Sequence, residues 1–187
     1  MYSSPARVQN VFGFFTTVTF SIAALVALSS AVFPANPTAT IDVREFRVIK
    51  GRAHQYYYSK VQEYAFINFD LEADLGSLFN WNTKQVFAYI SASYPGSPGS
   101  KFSENEAVIW DVILPSHSAS KLYLRNERAK YNINDVTGKF AGENVTLSFH
   151  WNVQPHVGAL KWGSVGLSEA FTLPPVKTKR VKGNNSA

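Results

Sequence analysis

The chain has 187 residues, with 18 Lys and Arg against 13 Asp and Glu, 45% hydrophobic residues and no cysteine. That length fits one ordinary domain with an appendage, and the apolar content excludes a disordered chain. The missing thiols exclude a disulfide framework, a cysteine-ligated zinc or iron–sulfur site and a cysteine nucleophile. The formal charge of +5 belongs to the two ends. Lys177, Lys179, Arg180 and Lys182 fall in the last eleven residues and Arg7 near the start, leaving 13 basic and 13 acidic residues between Pro34 and Val176.

Residues 1–10 form a short polar lead-in to a stretch of 23 residues, Val11 to Phe33, without a charge. As a helix this stretch is about 34 Å long, enough to cross a bilayer. A cleaved signal peptide has a shorter apolar region, and a core helix is rarely uncharged over this length, so residues 11–33 read as a retained anchor. Ala23, Ala27 and Ala31 recur every fourth residue, near Thr16 and Thr19 on the helix, a small-residue face suited to close approach by a neighbouring helix. The orientation signals conflict. Arg44, Arg47, Lys50 and Arg52 follow the span, which by charge alone favours a cytosolic C-terminal part. Asn144-Val145-Thr146 is an N-glycosylation acceptor and requires a lumenal or extracellular one; Asn184-Asn185-Ser186 is a second, weaker acceptor. Large domains cross membranes largely regardless of charge, so a short cytosolic N-terminus and a lumenal domain are expected.

Beyond Phe33 the pattern changes to period two. Ala65, Ile67, Phe69 and Leu71 alternate with polar or aromatic neighbours, as do Val86, Ala88, Ile90 and Ala92, then Val108, Trp110, Val112 and Leu114, and then Val145, Leu147, Phe149, Trp151 and Val153. This is half-buried strand patterning. Thr40–Ile49, Lys121–Leu124, Ala129–Ile133 and Val165–Leu173 are further strand candidates, while Leu75–Lys84 reads as a short helix or a loop. Seven or eight strands predict a mainly β fold, an antiparallel β-sandwich over residues 34–176, followed by a basic tail, 177–187. Trp81 and Trp151, each flanked by asparagine or histidine, are expected in its core, with the amides satisfying nearby backbone groups.

Catalytic patterns are weak. Ser118-Ala119-Ser120-Lys121 matches the S-x-x-K spacing, but that chemistry needs a helix and here the motif opens a strand. His54, His117, His150 and His156 have no metal-protease spacing, and His150 falls on the outward face of its strand. Asp70, Glu72 and Asp74 share one side of a strand, where a solvated edge outweighs a calcium site. The tail lacks interleaved aromatics, so no nucleic-acid partner is expected, nor a cofactor or a small-molecule substrate. From residue chemistry alone, three classes remain: an accessory subunit of a membrane complex, a membrane-anchored binding module of lectin type, and a hydrolase assembled from dispersed residues.

Three segments separate these classes. Phe69–Tyr89 (FDLEADLGSLFNWNTKQVFAY), Ala107–Ile113 (AVIWDVI) and Asn144–Leu160 (NVTLSFHWNVQPHVGAL) resemble, in order and spacing, the hallmark segments of the signal peptidase complex subunit 3 family. The Tyr94–Asn105 loop and the tail look particular to this chain. The resemblance implies a single-pass endoplasmic reticulum protein with a cytosolic N-terminus. It also implies a non-catalytic subunit whose partners are a catalytic serine-protease subunit, other small membrane subunits and membrane lipid. Within that reading Asn144 is the glycosylation position, Ala23, Ala27 and Ala31 are helix-packing candidates, and Phe79, Trp81 and Tyr89 are candidate subunit contacts.

Overall fold

A computed structural model describes residues 3–30, 32–51, 62–96, 104–134 and 142–175. Ala31, His54, the acceptor at Asn184, most of the Tyr94–Asn105 loop and the basic tail lie outside the described residues. Helix α1 spans Ser4–Ser29, with Pro5 in its first turn, where the missing N–H costs nothing. It is long and apolar enough to cross a membrane, and it keeps its large side chains outward. Its hydroxyls do not demand water, because Thr16 and Thr17 donate to the Gly13 carbonyl and Thr19 donates to that of Phe15.

The rest is an antiparallel β-sandwich. Its smaller sheet is ordered β1-β2-β5, formed by Thr38–Gly51, Gln62–Asp74 and Lys121–Arg128, with β6 (Ile133–Asn134) also pairing with β2. The larger sheet is ordered β4-β3-β7-β8, formed by Glu104–Leu114, Thr83–Pro95, Asn144–Pro155 and Lys161–Leu167, with β9 (Phe171–Thr172) pairing with β7. One core lies between the sheets. Ile67, Phe69 and Leu71 from β2 meet Val86, Ala88 and Ile90 from β3 and Leu147 and Phe149 from β7, all fully buried. The period-two segments thus place their apolar residues inward, as alternation on a pleated strand requires.

Several sequence expectations need correction. Val108 is exposed, although its spacing to Trp110 predicts an inward side chain. The β3–β4 register shifts between Ile90 and Ser91, so that Ile90 pairs with Trp110 and Ser91 with Val108. Ile109 is the extra residue, and this β-bulge turns Val108 to the outer face. Of the expected strand Ala129–Ile133 only Ile133 is in a strand, opening β6, and residues 129–132 cross between the sheets: the Ala129 N–H donates to the Ile67 carbonyl in one sheet and that of Tyr131 to the Ile109 carbonyl in the other. Val165–Leu173 is divided at Ser168, which exchanges hydrogen bonds with the Leu147 backbone through its own N–H and its hydroxyl. Leu75–Lys84, expected as a short helix or a loop, is as expected: Gly76–Leu78 forms a single 3-10 turn, and a loop and turn follow before β3.

Trp151 is buried in the core as expected, and its ring leans over Gly163, its cross-strand partner on β8. A methyl group on Gly163 would stand 2.3 Å from Trp151 Cζ2, so only glycine lets the two strands pack this closely. Trp81, by contrast, is 60% exposed, because it lies in the turn leading into β3 and not on a strand. Its neighbour Asn82 does what the flanking amides are expected to do, at a place the sequence does not reveal.

Candidate functional site

Two surfaces carry the features that a functional reading must explain. The first is the joint between α1 and the sandwich. Asn82, 2% exposed, donates from Nδ2 to the Ser30 hydroxyl (2.7 Å) and to the Val157 carbonyl (2.8 Å), and its Oδ1 accepts from the Val157 N–H (3.1 Å). The His156 N–H donates to the Asn82 carbonyl, completing the seam. Lys161 Nζ donates to the Ser30 carbonyl at 2.7 Å. The last turn of α1 has no basic residue of its own, so this ammonium, arriving from β8, supplies the positive charge that a helix C-terminus favours. Gly158, at φ +118°, lies against Ala27; a Cβ there would be 3.0 Å from the Cβ of Ala27.

The last turn of α1 is therefore clasped by the turn before β3 and by the β7–β8 loop. Beside it lies a cavity of about 220 Å³ lined by Ala27, Leu28, Val153, Pro155 and Val157 among others. Ala27, read in the sequence as facing a neighbouring helix, faces a glycine of its own chain, and Ala23 lies one turn farther from the joint.

The second surface is the outer face of the larger sheet. Tyr89 stacks between two rings, with Phe87 at 5.5 Å and His150 at 5.0 Å between centroids. His150 Nε2 shares a hydrogen bond with the Ser148 hydroxyl (2.9 Å) and lies 3.6 Å from Glu106. Around this ladder stand apolar side chains open to solvent: Val108, Ile113 (55% exposed) and Leu167 (70%). Asp111, Ser148 and Asn152 stand among them on the same face, and apolar side chains this exposed on a sheet are a feature that interaction surfaces share.

The remaining candidates separate. Phe79 is half-buried against the core and meets the His117 ring edge-on at 6.2 Å. Tyr89 is six residues beyond Thr83 on β3, about 20 Å along the strand, so Phe79, Trp81 and Tyr89 do not share one patch. Asn144 is exposed at the start of β7, where its Oδ1 accepts from the Thr172 hydroxyl at 2.7 Å, leaving the carbohydrate-accepting atom, Nδ2, outside that bond.

Ser118 and Lys121 engage different partners, the Ser116 hydroxyl (2.8 Å) and Asp74 (3.7 Å). Asp70 is no solvated edge. Its side chain is buried between Arg44, whose Nε donates at 2.6 Å, the Asn126 N–H (2.7 Å) and Arg125 (3.3 Å). The Arg44 hydrogen bond, with those from Asn126 and Arg125, holds its carboxyl down to about 2. Asn126 reaches it from a left-handed conformation, φ +51°, which asparagine tolerates better than most residues. Among the described residues no cluster of three His, Asp or Glu side chains is arranged to hold a metal ion.

A protein family described as "Signal peptidase subunit" matches residues 1–176. Signal peptidase complex subunit 3 of Yarrowia lipolytica is 38% identical over 174 residues, covering 88% of this chain and 93% of that protein. The Saccharomyces cerevisiae protein of the same name is 42% identical over 120 residues, 62% of this chain and 64% of its own length. The human protein is 41% identical over 96 residues, 51% of this chain and 52% of its own length. The chain thus belongs to the signal peptidase complex subunit 3 family.

Proposed function

We propose that this chain is a non-catalytic scaffold subunit of the endoplasmic reticulum signal peptidase complex, anchored by α1 with its N-terminus in the cytosol and its sandwich in the lumen. Its partners are the catalytic serine-protease subunit and the small membrane subunits, and its contribution to signal-peptide removal is positioning. Holding a catalytic constellation in register at a membrane surface is worth several kcal/mol when the reacting groups are otherwise free to tumble.

The observation that carries this reading is the outer face of the larger sheet. Val108, Ile113 and Leu167 leave more apolar surface around the Tyr89–His150 stack than strand patterning requires, and the bulge at Ile109 adds Val108 to it. This face is assigned to the catalytic subunit, with Tyr89 as a contact residue. The face of α1 carrying Ala23, Thr16 and Thr19 is assigned to a neighbouring membrane helix. The lumenal orientation is supported by Asn144. It begins β7, whereas Pro155 at the other end adjoins the joint, so the acceptor lies about 36 Å from the membrane-proximal rim.

Extraction in mild detergent tests the proposal. A serine-protease subunit should remain bound to the chain, and a mobility shift on deglycosylation should vanish in Asn144→Gln. A glycan ligand with no protein partner would instead favour a lectin-like module.

A further inference from the structure

The joint fixes the depth at which the sandwich sits, provided that α1 spans the bilayer as proposed above. Counting from Val11, where the uncharged stretch begins, the twenty residues to Ser30 rise about 30 Å, the thickness of a hydrocarbon core. Ser30, held by Asn82 and Lys161, is therefore at the far boundary of that core, and the backbone of Gly158 lies against Ala27 just inside it. The β7–β8 loop does not stop above the membrane; it descends beside the helix to the boundary.

Around this point the sandwich rim exposes large apolar side chains: Trp81 (60%) in the turn held by Asn82, and Val157, Leu160 (46%) and Trp162 (64%) before and within β8. Lys161 lies among them with its ammonium on the Ser30 carbonyl. Two exposed indoles, aliphatic side chains and a lysine at this level are the composition that favours a membrane interface, where an amphipathic ring has one end in hydrocarbon and the other among headgroups.

The geometry points to a lipid-binding footing: Trp81, Val157, Leu160 and Trp162 insert into the headgroup and upper acyl region of the leaflet adjoining the sandwich. The occupant is lipid because the patch is continuous with the lipid-facing surface of α1, through Ala27 against Gly158 and Ser30 against Asn82 and Lys161. Three chain segments converge there, so the sandwich is held at a fixed height and tilt against the bilayer and does not swing on a tether.

The test uses the full chain reconstituted into phosphatidylcholine vesicles whose acyl chains carry bromine, a short-range quencher of indole fluorescence. The chain has four tryptophans, of which Trp110 and Trp151 are buried in the sandwich. Lipid quenching is expected, and it should fall by roughly half or more in W81F/W162F, since the interfacial indoles carry it. Because the chain has no cysteine, Leu160→Cys can be labelled uniquely with an environment-sensitive dye, whose emission should shift to the blue on reconstitution. Loss of the chain from the vesicles at alkaline pH would overturn the membrane span and with it the footing. A retained chain with unquenched indoles and an unshifted dye would overturn the footing alone. So would quenching that disappears when the catalytic subunit is reconstituted alongside, which would give the rim to a protein.

Discussion

Truncating Asn82 to alanine should loosen the hold of the sandwich on its anchor. The substitution removes three hydrogen bonds, to the Ser30 hydroxyl and to both polar groups of Val157. Each such bond contributes about 1 kcal/mol net, and the Val157 groups, on a partly exposed loop, regain some of theirs from water. The expected loss is thus about 2–3 kcal/mol. In a urea titration of the detergent-solubilised full chain, followed by tryptophan fluorescence, that corresponds to a midpoint lower by about 1–2 M. Ser30→Ala removes only one of the three bonds and should cost about 1 kcal/mol, and the double variant should show coupling of similar size because the two side chains share it. Spin labels on α1 and on β7 should report a broader distance distribution in Asn82→Ala than in the parent. A midpoint unchanged within error, with an unbroadened distribution, would refute the claim that this amide fixes the sandwich to the helix.

Gly163→Ala should destabilise the sandwich by about 1–3 kcal/mol in the same titration, because its methyl group would overlap the Trp151 ring and force strand or indole to move. Asp70 sets an acid dependence. Its folded pKa of about 2 is below the ordinary aspartate value of 3.8, so its stabilisation is fully present above that value and is lost as pH falls from about 4 towards 2. The stability difference between the parent and Asp70→Asn should therefore shrink over that window; a constant difference would contradict the ion-pair assignment. Ala23→Leu should weaken recovery of a membrane partner while leaving the urea midpoint unchanged. Ala27→Leu should also lower the midpoint, since its longer side chain meets Gly158.

The sandwich was legible where a strand has one dry face and one wet face. Val145, Leu147, Phe149, Trp151 and Val153 are all buried, as their spacing predicts. Legibility fails where a single residue breaks the period. No glycine or proline marks the bulge at Ile109, yet it changes the face of Val108 and so the composition of the outer surface. It fails again where partners are distant in sequence. Asp70 occupies an outward position on β2, and its burial depends on arginines from strands on either side, 26 and 55 residues away. Asn82 reaches Ser30 and Val157 across 52 and 75 residues, so the sequence offers only an amide beside a tryptophan. The alanine repeat in α1 reads as a face for a neighbouring helix, and nothing in it indicates that Gly158 of the same chain lies against Ala27.

The outer face of the larger sheet is the surface proposed to hold the catalytic subunit. A photoreactive side chain placed at Ile113 or Leu167 in the intact complex tests it most directly, with Tyr123, exposed on the smaller sheet, as the comparison site. An adduct is expected between the larger-sheet positions and the serine-protease subunit, and little or none from Tyr123. Adducts from Tyr123 alone, or none from either larger-sheet position in a complex that still cleaves signal peptides, would contradict it.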